Sequence, residues 1–209
     1  MNTKNLDNHE RVLKGILTSY AKQIRVAIPA TIIEFDSSVQ RAKVSIDIEE
    51  QFGESYEKPD ILEDVPIAFP RVMGFVVTMP IKKGDKVMLI FAHSSIDKWC
   101  VNGESNNKDT RTHHISDAVA YIDSIRPEND PIKNFDEDNL VLRTIDNNIH
   151  IKIKKDKIKI LGDVEIDGKL NVTKEIKSDI EVEAKSIKLT KHKHIGVTAG
   201  KDTTQTPIP

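Results

Sequence analysis

The amino-acid sequence predicts a mainly β protein: an N-terminal helix, then a small barrel, then a C-terminal stalk of brief strands. Three observations carry that expectation. All six Phe, all three Tyr and Trp99 lie between Tyr20 and Phe135, so only the first two thirds of the 209 residues can build a thick core with rings in it. β-rich runs punctuated by turn residues fill the stretch from Arg25 to Gly103. From Asn139 onward, aliphatic and charged residues alternate.

Residues 1–24 form the helical part. Val12, Leu13, Ile16, Leu17 and Tyr20 recur at helical spacing from about Asp7 to Gln23, and Asp7 with Glu10 resembles a capping box. The apolar face of that helix needs a partner, which the sequence does not name.

Residues 25–103 form the barrel. Val26 to Phe35 and Arg41 to Ile48 flank the turn-like Asp36-Ser37-Ser38, Gly74 to Ile81 and Lys86 to Ala92 flank Lys82-Lys83-Gly84-Asp85, and Val65 to Phe69 supplies a fifth run. Five short strands, a longer excursion over residues 49–64 and a helix-like Ser94 to Val101 fit an OB-type barrel better than a sandwich. Phe35, Phe75 and Phe91 lie in apolar contexts and are expected in its core. Residues 104–138 read as a connector, with Pro127 and Pro131 opposing regular structure.

Residues 139–190 form the stalk. Ile158, Ile160, Val164, Ile166, Leu170, Val172, Ile176, Ile180 and Val182 all occupy even positions, and breaks at Gly162-Asp163, Asp167-Gly168 and Lys177-Ser178-Asp179 cut the pattern into short strands. One copy would leave this stripe wet and its strand edges unpaired. Three copies wound about a common axis, an intertwined trimeric β-helix, would cover both; a sheet half-buried against the barrel is the other arrangement the pattern allows.

Composition narrows the function classes. Charged residues are 31% of the chain and the formal net charge is -2, so no basic excess points to nucleic acid. The lysines at 152, 154, 155, 157 and 159 interleave with Ile151, Ile153, Ile158 and Ile160 as a solvated sheet face would. Cys100 is the only cysteine and can form no intrachain disulfide. No signal-peptide pattern is evident, and no apolar run nears the roughly 18 residues of a membrane span.

Residues 191–209 carry the motif with chemistry in it. In Lys191-His192-Lys193-His194-Ile195-Gly196, an extended backbone turns His192 and His194 to one side and the lysines to the other. Two imidazoles are an incomplete site for a transition metal, and three chains would supply six, the octahedral number. His93, His113, His114 and His150 read as structural or surface residues, and Cys100, beside Trp99, as a packed thiol. Asp36, Asp47, Asp97 and Asp117 make no recognisable acid/base pair with a Glu, and no phosphate loop or nucleophile elbow occurs.

The segment KLTKHKHIGVTAGKDTTQTPIP resembles the tip of the central spike proteins of contractile-tail phages, including Mu-like phages, and the Arg25–Gly103 barrel and RTHHISDAVAY also resemble that family. The resemblance implies a non-enzymatic homotrimer of the virion tail baseplate, seated on a hub protein and meeting the host cell envelope only as it pierces it. It further implies one Fe ion per trimer, held by His192 and His194 of each chain. Lys191 and Lys193, and Ile195 ahead of Gly196, depart from the family pattern. Two readings of other classes stand beside it: a metalloenzyme using His192 and His194 with a third ligand, and an OB-type oligonucleotide or saccharide binder on a trimeric stalk, which would need exposed aromatics on the barrel.

Overall fold

A computed structural model describes residues 3–106, 108–122 and 125–191, and the chain divides into two compact units, Met1–Lys133 and Asn134–Pro209. The first unit opens with helix α1, Thr3–Gln23, longer than expected at its start. Asp7 and Glu10 therefore lie within the helix rather than at its start. Val12, Leu13, Ile16, Leu17 and Tyr20 are all exposed along it.

After α1 the strands are β1 (Ala27–Asp36), β2 (Arg41–Ile46), the small hairpin β3 (Glu50–Phe52) and β4 (Ser55–Glu57), and β5 (Leu62–Ala68). A second small hairpin, β6 (Arg71–Val72) and β7 (Phe75–Val76), precedes β8 (Lys86–Phe91), the short helix α2 (Asp97–Asn102) and β9 (Ala118–Tyr121). A closed barrel forms in the order β1-β2-β5-β9-β8, with β8 returning to β1. Only β5 and β9 run parallel; the other neighbours are antiparallel. This is a Greek-key connectivity of the kind an OB-type barrel uses.

Alternation along each strand fills the interior: Ala30 and Ile32, then Ala42, Val44 and Ile46, then Val65 and Ile67, then Val87, Leu89 and Phe91, then Ala118 and Ala120. The turn before β8 is built into the wall. Gly84, at φ 95, donates its N–H to the Ile32 carbonyl at 2.8 Å, and Ile32 N–H reaches the Asp85 carbonyl at 2.9 Å. A side chain at position 84 would strain that left-handed backbone.

Two expectations about the barrel need correction. Gly74 to Ile81 contributes no wall strand; only Phe75–Val76 is extended, paired in the hairpin with Arg71–Val72. The run is continuously apolar without alternation and Pro80 removes an N–H, so it lacks the two-faced pattern of a barrel strand. The fifth strand comes instead from Ala118–Tyr121, within the stretch read as connector. Its four residues, two of them alanine, give almost no β signal. Phe75 is correspondingly 82% exposed, whereas Phe91 is buried and Phe35 packs partly against the core.

The second unit contains a three-stranded antiparallel sheet, β10 (Leu140–Arg143), β11 (His150–Ile153) and β12 (Ile158–Leu161), and a short hairpin, β13 (Glu183–Ala184) with β14 (Ile187–Lys188). No described residue between Leu161 and Glu183 is in a strand. The nine even-position aliphatics from Ile158 to Val182 are all exposed, and the single chain does not form a β-helix over them.

Candidate functional site

Register decides which side chains of the C-terminal sheet share a face. Leu140 pairs with Ile153 and Leu142 with Ile151 across β10 and β11; Ile151 pairs with Ile160 and Ile153 with Ile158 across β11 and β12. Six aliphatic side chains thus form one face, and every one of them is exposed, from 42% at Ile153 to 65% at Leu142. The opposite face holds Val141, Arg143, His150 and Lys152, and there Asp136 closes a 2.7 Å ion pair with Lys152. Lys152 and the amide of Asn139 hold the Asp136 carboxyl well below the usual carboxylate range. On that face His150 is buried and Asp136 lies over Lys152, whereas none of the six aliphatics on the other face is buried.

Val164, Ile166, Leu170, Val172, Ile176, Ile180 and Val182 continue the uncovered surface along the chain. At its far end Glu181 gathers the segment leading to the candidate ligands. Its carboxylate accepts the Thr190 hydroxyl and the backbone N–H groups of Val182 at 3.0 Å and Thr190 at 3.2 Å, and these bonds, the Thr190 hydroxyl first, lower its pKa. Leu189 N–H reaches the Val182 carbonyl at 2.9 Å and Lys191 N–H the Lys188 carbonyl at 3.1 Å. His192 and His194 lie outside the described residues. Among the described residues no group of three or more His, Cys, Asp or Glu side chains is placed to hold a metal.

The other histidines serve local structure. His93 and His113 meet edge to face with ring nitrogens 3.2 Å apart, and the second nitrogen of His113 lies 3.1 Å from the Arg25 carbonyl, which it meets as a donor. His114 Nδ1 accepts the Ser116 N–H at 3.2 Å and caps the turn into β9. His150 is 6% exposed, and among the described residues neither of its ring nitrogens has a hydrogen-bond partner. Cys100 is partly buried, and burial pushes its thiol up despite the opposing Arg41 charge, which does not favour a nucleophile. Its neighbour Trp99 is 64% exposed, so the setting is less apolar than the sequence implied.

Sequence reasoning missed a four-residue lock. Asp117 is fully buried, and Arg111 grips both its oxygens at 2.8 and 2.9 Å while also reaching Asp109 and Asp97 at 2.7 Å each. Asp117 Oδ1 also accepts the Ile96 N–H at 2.9 Å. Burial alone would raise the Asp117 pKa, but the Arg111 and Ile96 hydrogen bonds outweigh it and the net shift is downward. One guanidinium thereby ties the start of α2 to the entry of β9, the strand that closes the barrel. The signal was an Arg flanked by Asp109 and Asp117 in a stretch with few other cations, yet the pairing partners are fixed only by the fold.

The barrel region also has a relative among known families. Residues 28–123 match the model of the phage protein Gp138 N-terminal domain, just under half of the chain. That span begins at β1 and ends just after β9, so it coincides with the closed barrel. The match supports a phage structural protein. No curated protein matches the chain. No described helix is long and apolar enough to cross a membrane.

Proposed function

With a phage-type domain over residues 28–123, we propose that this chain is the central spike of a contractile phage or phage-like tail baseplate, a non-enzymatic homotrimer that pierces the host cell envelope. The observation that carries the reading is the uncovered aliphatic face of β10, β11 and β12 with its continuation to Val182. Each large aliphatic left wet forgoes about 1.5–3 kcal/mol of burial, a loss a single chain does not sustain at so many consecutive positions without a partner. Three such faces turned inward would bury one another and pair the strand edges. The barrels then form a collar on a hub protein, and the stalk transmits the thrust of contraction.

His192 and His194 would close the point. Neutral imidazole is a ligand for iron, zinc, copper or nickel, and two per chain make an incomplete set that threefold assembly completes. An Fe ion bound there would supply a structural staple, stopping three chain ends from fraying. Lys191 and Lys193, on the alternate side, stay in solvent, where screening limits their repulsion.

Native mass spectrometry with elemental analysis tests this. The expected result is a three-chain particle with one transition-metal ion, which falls to none in the His192→Ala, His194→Ala variant while the three-chain mass persists. A one-chain mass overturns the spike reading. One ion per chain would favour the metalloenzyme, and metal retained by the double variant would remove these histidines from the site.

A further inference from the structure

His93 and His113 bring two imidazoles together at the end of the barrel where the chain enters it. His93 follows β8, His113 precedes β9, and Arg25 leads into β1. The His113 N–H donates to the His93 carbonyl at 3.3 Å, so the backbone ties the two residues together before their rings meet. The rings stand edge to face, with Nδ1 of His93 3.2 Å from Nε2 of His113.

Proton placement decides what faces that gap. A carbonyl oxygen carries no proton, so the 3.1 Å contact between His113 Nδ1 and the Arg25 carbonyl assigns the His113 proton to Nδ1. In the neutral ring Nε2 is then a lone pair turned toward His93. When His93 takes its Nε2–H tautomer, its Nδ1 offers a second lone pair to the same gap. The rest of the arrangement suits a metal ligand. A metal-bound imidazole ordinarily donates its other N–H to a carbonyl or carboxylate, which is how His113 is held. His113 also sits at φ 48, in the left-handed region that side chains rarely adopt, so its ring is placed against a local backbone cost.

We propose that His93 Nδ1 and His113 Nε2 hold a divalent first-row cation of the zinc type, one per chain, with water in the remaining positions. Two nitrogens each about 2.0–2.1 Å from a zinc ion, at an angle between a right angle and the tetrahedral one, stand about 2.9–3.4 Å apart. The observed 3.2 Å falls within that span. Among the described residues no third His, Cys, Asp or Glu joins the pair, so the site is open to solvent ligands. Two imidazoles bind less firmly than six, and the site fills only where metal is supplied. An ion there would clip the exit of β8 to the entry of β9 and, through His113 and the Arg25 carbonyl, to the start of β1. This needs no threefold assembly.

Calorimetric titration of the full chain with Zn²⁺, in a His192→Ala, His194→Ala background cleared of metal by a chelator, tests it. One ion is expected per chain, and the thermal midpoint of the barrel is expected to rise with zinc because only the folded chain presents the pair. His93→Ala removes an exposed ring and should leave the zinc-free midpoint near that of the parent. His113→Asn keeps an amide donor for the Arg25 carbonyl and tolerates the left-handed backbone. Each is expected to weaken zinc binding by at least about tenfold and to abolish the zinc-dependent rise. His114→Ala, whose native ring already accepts the Ser116 N–H, should bind as the parent does. No binding by the parent, or binding unchanged in His93→Ala, overturns the site. Binding lost in His114→Ala as well would place the ion on a different set of histidines and overturn this pair.

Discussion

In the barrel, five strands turn alternate residues into a shared interior, and twelve hydrophobic residues from Ala30 to Ala120 end buried. In the C-terminal unit the same alternation on β10, β11 and β12 buries none of the six aliphatics it gathers, and Leu140 to Leu189 contains large aliphatics exposed at nearly every apolar position. The local code is the same and the outcome opposite. A closed barrel pairs every wall strand with two others in its own chain, so its inward face is completed by folding. An open sheet of four-residue strands has no such closure, and no described residue of its own chain buries its apolar face. The difference shows that strand period specifies which residues want burial but not whether the covering surface is in the same molecule.

The sharpest way to break that comparison is to charge the uncovered face. Ile151 and Ile160 are cross-strand partners, 43% and 51% exposed in the single chain. Replacing both, Ile151→Asp with Ile160→Asp, puts carboxylates where the isolated chain tolerates them and where an assembled stalk would have to bury them unpaired, at several kcal/mol each. Native mass is expected to fall from three chains to one, with the barrel unfolding as before. If the three-chain mass persisted, the face would not be the interface.

A smaller effect is expected on the other side of the comparison, confined to one chain. Arg111→Ala leaves the buried Asp117 with only the Ile96 N–H, and Asp117→Ala leaves Arg111 facing Asp97 and Asp109 over an emptied site. Breaking a buried pair by removing one partner costs about 3–5 kcal/mol. Denaturant unfolding of the barrel should show that loss at any protein concentration. Losses under about 1 kcal/mol would reduce the lock to an exposed ion pair.

How much was legible follows the same division. β1, β2 and β8 were readable as β-rich runs between turn signals such as Asp36-Ser37-Ser38, where Asp36 accepts the Ser38 N–H at 2.8 Å, and β5 was readable from Val65 onward, its first three residues having been assigned to the preceding excursion. β9 was not, because Ala118 and Ala120 are small enough to fit beside β5 and too small to mark a strand. Phe75 was misplaced because an apolar ring in an apolar run looks alike whether it fills the core or stands exposed on a hairpin. The stalk pattern was plain in Ile158 to Val182, yet strand period does not say what surface covers it. His192 and His194 were singled out by spacing, by their place after the last aliphatic strand and by the tip resemblance, and they lie outside the described residues.

Acid sharpens the comparison most gently. Asp117 titrates below its ordinary value in the folded chain, since the Arg111 hydrogen bonds overcome the opposing effect of burial. A carboxyl depressed on folding contributes stability that is full above the unfolded value of about 4 and is lost as pH falls through the lower folded value, because the unfolded state then binds more protons. The barrel is thus expected to lose stability on acidification below about pH 4, and Asp117→Asn, which has no proton to gain, should flatten that part of the curve. Asp136 and Glu181 in the second unit are also depressed, but their carboxylates sit in solvent-accessible settings where water screens the pairing. Barrel unfolding should therefore follow Asp117 in acid while the three-chain mass, held by uncharged aliphatics, responds less; equal acid sensitivity of the two would mean that the stalk depends on carboxylates that the exposed isoleucines do not account for.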